Sequence, residues 1–211
     1  MKVYFDILHL YYLPQYLPVW RQLEQHKVDC TFVLYQQPLL NDVLINIAND
    51  YQLPHLWVDS EKQAADIYLE NKPDWVIFGN AFGYAQQLSS KVKTALMEHG
   101  IGPKACYYDV SETPHTVRFV EGQHRLKRLV QRFPKKTFID TGYAKLDPII
   151  NNTVKKFNLA SVGLSSKKKT LLYAPTFYPS SIECLPKNFP ELVKQYNVVI
   201  KPHFFSLIKK Q

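Results

Sequence analysis

Residues 74–78, Asp74-Trp75-Val76-Ile77-Phe78, are apolar at every position after the aspartate. A strand with apolar side chains on both faces must be covered on both, which is the condition of a strand inside a parallel sheet flanked by helices. Similar β-rich runs recur upstream at residues 2–10 (KVYFDILHL), 29–35 (DCTFVLY) and 55–58 (HLWV). Helical signals separate them. Leu17, Trp20 and Leu23 lie in a Pro-punctuated stretch ending near His26, residues 39–51 form a second helix, and a third runs over Glu61–Asn71, with Ser60 as its cap and Pro73 as its stop. This alternation predicts an α/β domain, a Rossmann-like parallel sheet with helices on both faces.

Further along, the pattern predicts a helix over residues 90–98 and strands at 105–108, 117–121 and 137–141. A basic amphipathic helix joins the last two, with Leu126, Leu129, Val130 and Phe133 expected to face inward. The first domain is therefore expected to cover residues 1–150. A polar, Lys-rich linker (151–169) leads to residues 170–211, where strands at 170–176 and 198–201 flank a helix at 188–196. So short a segment is too small to close a core by itself, so it is read as the start of an incomplete second α/β domain or as an appendage on the first sheet.

The composition, 46% hydrophobic and 21% charged in 211 residues, is that of a globular protein. The run 7–20 is broken by His9 and two prolines and falls short of the ~20 apolar residues of a membrane span. Asp6 interrupts any secretory-type apolar core. A cytoplasmic location is expected. Cys30, Cys106 and Cys184 fall in no metal-binding or redox spacing and are read as reduced, partly buried side chains; no metal and no cofactor is expected.

The net charge of +8 is regional: residues 118–169 hold thirteen Lys/Arg against three Asp/Glu, leaving −2 for the remainder. Its densest part, Arg125, Lys127, Arg128, Arg132, Lys135 and Lys136, is either a solvated helix face or a contact for anionic lipid headgroups or a polyanionic substrate. Nucleic acid ranks last, since no helix-turn-helix, RNP or zinc signature is present.

Four clusters could carry chemistry. In His99-Gly100-Ile101-Gly102-Pro103-Lys104, glycines allow close backbone approach to a phosphate and the imidazole can act as a general base, although Gly100 could equally be a helix C-cap. Thr141-Gly142-Tyr143-Ala144-Lys145-Leu146-Asp147 closes the first domain. Tyr173-Ala174-Pro175-Thr176 is a strand exit carrying hydroxyls, and Lys201-Pro202-His203 is another that suits a diphosphate or a solvent-facing terminus. Neither the dinucleotide fingerprint nor the P-loop is satisfied.

Together and in this order, these segments resemble the CDP-glycerol glycerophosphotransferase family of teichoic acid synthesis. Its HGTPLK-type motif is similar to residues 99–104, its GYxRxD element to 142–147 with Lys145 at the Arg position, its LYAPT strand to 172–176, and its K-x-H-P element to Lys201-Pro202-His203. The resemblance implies a GT-B architecture, with the acceptor on the first domain and a CDP-activated donor on the second. It implies His99 as the base that deprotonates the acceptor hydroxyl, and His203 with Lys201 as the diphosphate clamp. Gly100, Gly102, Lys104 and Thr176 would be further substrate contacts. The partners implied are CDP-glycerol, a glycan or polyol-phosphate acceptor, and an anionic membrane surface met by residues 125–136 at the inner face of the plasma membrane. A Ser-Ser region that the family carries beyond K-x-H-P has no counterpart before Gln211, so the chain by itself is expected to be inactive. The alternatives are a GT-B glycosyltransferase or sugar-nucleotide epimerase, and a non-catalytic polymer- or membrane-binding domain.

Overall fold

The computed structural model describes residues 1–102, 105–154, 157–177, 179–203 and 205–206. The chain divides into two units, Met1–Thr153 and Val154–Gln211. The first contains seven strands, β1 (Lys2–Ile7), β2 (Asp29–Tyr35), β3 (His55–Val58), β4 (Trp75–Phe78), β5 (Lys93–Met97), β6 (Val117–Val120) and β7 (Phe138–Asp140). They form one sheet of order β3-β2-β1-β4-β5-β6-β7, and every pairing is parallel. The order reverses between β1 and β4, which opens a crevice at the carboxyl ends of those strands.

Two-residue periodicity sorts the core onto two faces. Val3, Phe5 and Ile7 of β1 pack with Phe32, Leu34 and Ile77 beneath α1 (Leu13–Gln25), which contributes Tyr16 and Trp20. Tyr4 points the other way, with Val33, Val76 and Phe78, against α3 (Glu61–Asn71), whose Ala64 and Ala65 let the helix approach the sheet closely. Ser60 caps α3 by accepting from the Gln63 amide at 3.2 Å. Its end is set by Lys72, left-handed at φ 44°, just before Pro73. The remaining helices of this unit are α2 (Asn41–Asp50), α4 (Ala85–Leu88), α5 (Cys106–Asp109), α6 (Gln123–Arg132) and α7 (Asp147–Ile150).

Some expectations are corrected. Lys93–Met97, within the predicted helix 90–98, is the strand β5, so Gly100 follows a strand and is not a helix cap. Residues 105–108, predicted as a strand, enter the helix α5. On α6, Leu129 is buried as expected, but Val130 is exposed and Arg125 is buried at 5% exposure. Cys30 is buried, whereas Cys106 and Cys184 are exposed.

The second unit has a two-stranded parallel sheet, β8 (Thr170–Tyr173) and β9 (Asn197–Ile200), with α8 (Phe189–Leu192) shorter than the predicted 188–196. Asn197 is its anchor. Its side chain accepts from the Ser165 amide at 3.0 Å and donates to the Ser165 carbonyl at 2.7 Å.

Asp6 is the unusual member of the first core, buried on the β1 face opposite Phe5. Its Oδ2 accepts from the Tyr35 and Tyr68 hydroxyls, each at 2.7 Å. Burial pushes its carboxyl up to about 7 despite those two hydrogen bonds. The unfolded chain then releases this proton well before the folded one does. Asp6 therefore lowers stability as pH rises from about 4 to about 7, by up to ~1.4 kcal/mol per pH unit, and the loss levels off above that. In Asp6→Asn the amide oxygen can still accept from both tyrosines, so the variant is expected to gain on the wild type steadily across this window. Urea unfolding of both proteins at several pH values measures it, and parallel curves would rule Asp6 out as the source.

Candidate functional site

All seven strands of the first unit run the same way, so the segments following them gather at one edge. Residues 8–12 follow β1, Gly79 follows β4, His99 follows β5, Glu121–Gly122 follow β6 and Thr141–Tyr143 follow β7. His99 is held from several sides. Its amide donates to the Gly79 carbonyl at 3.1 Å, and its Nδ1 lies 2.7 Å from the same oxygen. A carbonyl only accepts, so the ring hydrogen sits on Nδ1 and the lone pair of the neutral imidazole sits on Nε2.

Aromatic rings frame the imidazole. Tyr12 stacks on it at 4.9 Å, Tyr11 meets it edge-on at 5.0 Å, and Tyr107 stands 6.2 Å away. The Tyr143 hydroxyl donates to the His99 carbonyl at 3.2 Å. Tyr143 in turn leads into a 3₁₀ turn fastened to α1 by the Lys145 amide, which donates to buried Gln15 at 2.9 Å. His9 stacks on Tyr11, and its pKa is lowered by burial and then by the nearby His99.

Glu98, beside His99 in sequence, has a different environment. Burial pushes its carboxyl up to about 8, with Arg125 opposing and Glu121 reinforcing the shift. It is a neutral acid at pH 7 and lines a cavity of about 10 Å³ with Gln15, Thr141 and Tyr143. Arg125 is engaged elsewhere. Its Nε donates to Glu121 at 2.5 Å, and its terminal nitrogens donate to the carbonyls of Tyr107 at 3.1 Å and Gly102 at 2.9 Å.

The glycines differ in what they permit. A Cβ at Gly79 would run into the Tyr12 ring and one at Gly102 into the Tyr107 ring, whereas at Gly100 it would reach the Tyr107 hydroxyl at an ordinary 3.5 Å. Lys104 lies outside the described residues.

In the second unit, the exits of β8 and β9 share one edge, because the Lys201 amide donates to the Tyr173 carbonyl at 2.9 Å. His203 forms a three-ring cluster with Phe177, 5.0 Å away, and Phe205, 5.5 Å away. Thr176 and Lys201 are exposed. The four motif-like segments thus all begin at the ends of parallel strands. Sequence reasoning found His99 but gave no role to Glu98, Gly79, Tyr12 or Tyr143. Glu98 immediately precedes the 99–104 segment in sequence, but only its burial beside Glu121 sets it apart.

No protein-family model and no curated protein matches the sequence. Solved structures do. A protein assigned as a UDP-N-acetylglucosamine 2-epimerase from Listeria monocytogenes aligns over 100% of this chain and 64% of its own, with a TM-score of 0.73 and 15% identity. The UDP-GlcNAc 2-epimerase of Neisseria meningitidis, bound to UDP-GlcNAc, aligns over 100% and 67%, at 0.64 and 13%. MurG of Acinetobacter baumannii aligns over 95% and 57%, at 0.50 and 14%. The fold is of the GT-B kind. The chain spans just under two thirds of the Listeria protein, and at such identities the likeness concerns fold alone. The structures thus agree with the GT-B architecture that the motifs implied.

Membrane association through residues 125–136 loses part of its basis. Arg125 is buried against Glu121, and Arg132 is ion-paired with Asp109. Among the described residues no helix is long and apolar enough to cross a membrane.

The glycine geometry separates two substitutions that look alike in sequence. Gly102→Ala must displace the Tyr107 ring and is expected to cost roughly 1–3 kcal/mol, while Gly100→Ala should stay within about 0.5 kcal/mol. Chemical denaturation of the two variants checks this, and equal costs would contradict the packing described.

Proposed function

We propose that the chain belongs to a GT-B-type enzyme that acts on a nucleotide-activated donor and an acceptor hydroxyl, with the first unit on the acceptor side. The observation that carries the reading is the imidazole of His99. Its Nδ1 is fixed on the Gly79 carbonyl and its lone pair lies on Nε2, in a ring aligned by Tyr12 at the carboxyl edge of a parallel sheet. A base so oriented can take the proton of a hydroxyl as that oxygen attacks an activated centre, and the nucleotide departs as leaving group. Glu98, neutral at pH 7, would be a proton donor close by. Lys201 and His203, at the strand exits of the second unit, would meet the donor diphosphate, and Thr176 would assist.

The fold neighbours favour a nucleotide-sugar as donor. The second reading, transfer of glycerol phosphate from CDP-glycerol to a glycan or polyol-phosphate, is favoured by the order of the four motif-like segments. A site at the cytoplasmic face of a membrane belongs to that second reading and is supported by the exposed cations Lys127, Arg128 and Lys135.

Release of UDP from UDP-sugars and of CMP from CDP-glycerol, followed in parallel with candidate acceptors, distinguishes the two donors. Whichever activity is present should fall about 100-fold or more in His99→Ala. An undiminished rate in that variant removes His99 as the base, and release of neither nucleotide by the full-length gene product overturns the proposal.

A further inference from the structure

Beside the His99 region lies a cleft of about 350 Å³ that none of the motif-like segments accounts for in full. It opens between Gly102 and Tyr108 on one side and the first turns of α6 on the other, and its walls include Glu121, His124, Arg125 and Arg128. The volume is near the lower end of the ~300–1,000 Å³ range of small-molecule sites, enough for an anionic group with a small body attached.

The charges around this cleft do not cancel. Glu121 is taken up by Arg125, and Glu98 is neutral at pH 7, so neither carboxylate offsets Arg128. Arg125 is 5% exposed and bears five N–H donors, of which Glu121, Tyr107 and Gly102 receive three among the described residues. A buried guanidinium with two N–H donors that no described residue receives, in the wall of an open cleft, is a built recognition element for an acceptor-only group. Its plane is braced by the Tyr108 ring, 4.7 Å from the guanidinium carbon.

We propose that this cleft is a phosphoryl-binding subsite, in which Arg128 and the remaining Arg125 N–H groups hold the oxygens and His124 donates a further hydrogen bond. The ligand class is a phosphate ester with a small polar body. On the reading that the first unit is the acceptor side, it would be a phosphate carried by the acceptor, held one loop away from the base that activates its hydroxyl. The inference depends on that reading only for the word acceptor.

Its test needs no donor, so it can fail independently of the transfer reaction. The intact chain is titrated with glycerol 3-phosphate and with inorganic phosphate while the His124 ring resonances are followed by NMR. Binding is also measured to vesicles of phosphatidylglycerol and of phosphatidylcholine. Saturable shifts of His124 are expected, with affinity reduced about tenfold or more in Arg128→Gln. Lys127→Gln removes the same charge from the same helix outside the cleft and should change affinity for the soluble esters less than about twofold. Dependence on Arg128 seen with soluble esters supports a substrate subsite, and dependence seen only with phosphatidylglycerol vesicles supports a phosphoryl site for lipid headgroups. Equal losses of affinity for the soluble esters in the two variants, or shifts that never saturate, overturn the proposal, because they describe a diffuse field and not a site.

Discussion

The carbonyl of Gly79 is the fixed point of the candidate site. It accepts both the amide and the Nδ1–H of His99, so one oxygen at the end of β4 sets the backbone and the ring of the residue that follows β5. That double hold works only because β4 and β5 are adjacent and parallel, in register from Trp75↔Lys93 to Phe78↔Leu96. It also requires a residue without a side chain at position 79, where any Cβ would enter the Tyr12 ring. The stack of Tyr12 on His99 therefore constrains the sequence at a third position that touches neither hydroxyl nor lone pair. Sheet register, one missing Cβ and one aromatic stack together give the imidazole a single orientation.

The central strands were legible because their chemistry is extreme. DWVIF and DCTFVLY are so apolar that only two-sided burial suits them, and Glu61–Asn71 carries its own cap and stop. The segment KTALM was not legible, for a physical reason. Thr94, Ala95, Leu96 and Met97 are all buried, so the strand shows no alternation. Val92, Ala95 and Leu96 also happen to fall at helical spacing, and local pattern yields to pairing with β4 and β6. The tyrosines of CYYD pull the reading toward a strand in the same way, yet these residues form a short helix outside the sheet.

Charged residues misled the reading in a second manner. Arg125 and Arg118 look like surface cations in sequence, but both are buried and both donate to backbone carbonyl oxygens. Arg118 donates to Ser111, Thr113 and His115, tying the approach to β6 to the sheet. Nothing in a linear sequence marks which arginine finds three carbonyls, since the acceptors belong to a loop whose path the arginine itself helps to fix. Burial, reinforced by the same cation, drives the His115 imidazole down to about 3 and keeps it neutral beside Phe78. A count of basic residues thus overstates the charge this surface offers.

Two histidines in one aromatic enclosure raise a question of protons that the geometry answers in part. His9 and His99 both contact Tyr11 and Tyr12, and burial, with the proximity of His99 adding to it, lowers the pKa of His9. Linkage makes that repulsion reciprocal: charging either ring makes the other harder to charge. A proton taken from a hydroxyl by Nε2 of His99 would thus arrive beside an imidazole that is disposed to be neutral, and the enclosure would hold one charge and not two. The neutral Tyr11 and Tyr12 hydroxyls, raised by burial, supply no anion to stabilise a second. The two rings thus share one enclosure in which a positive charge on either is opposed by the other.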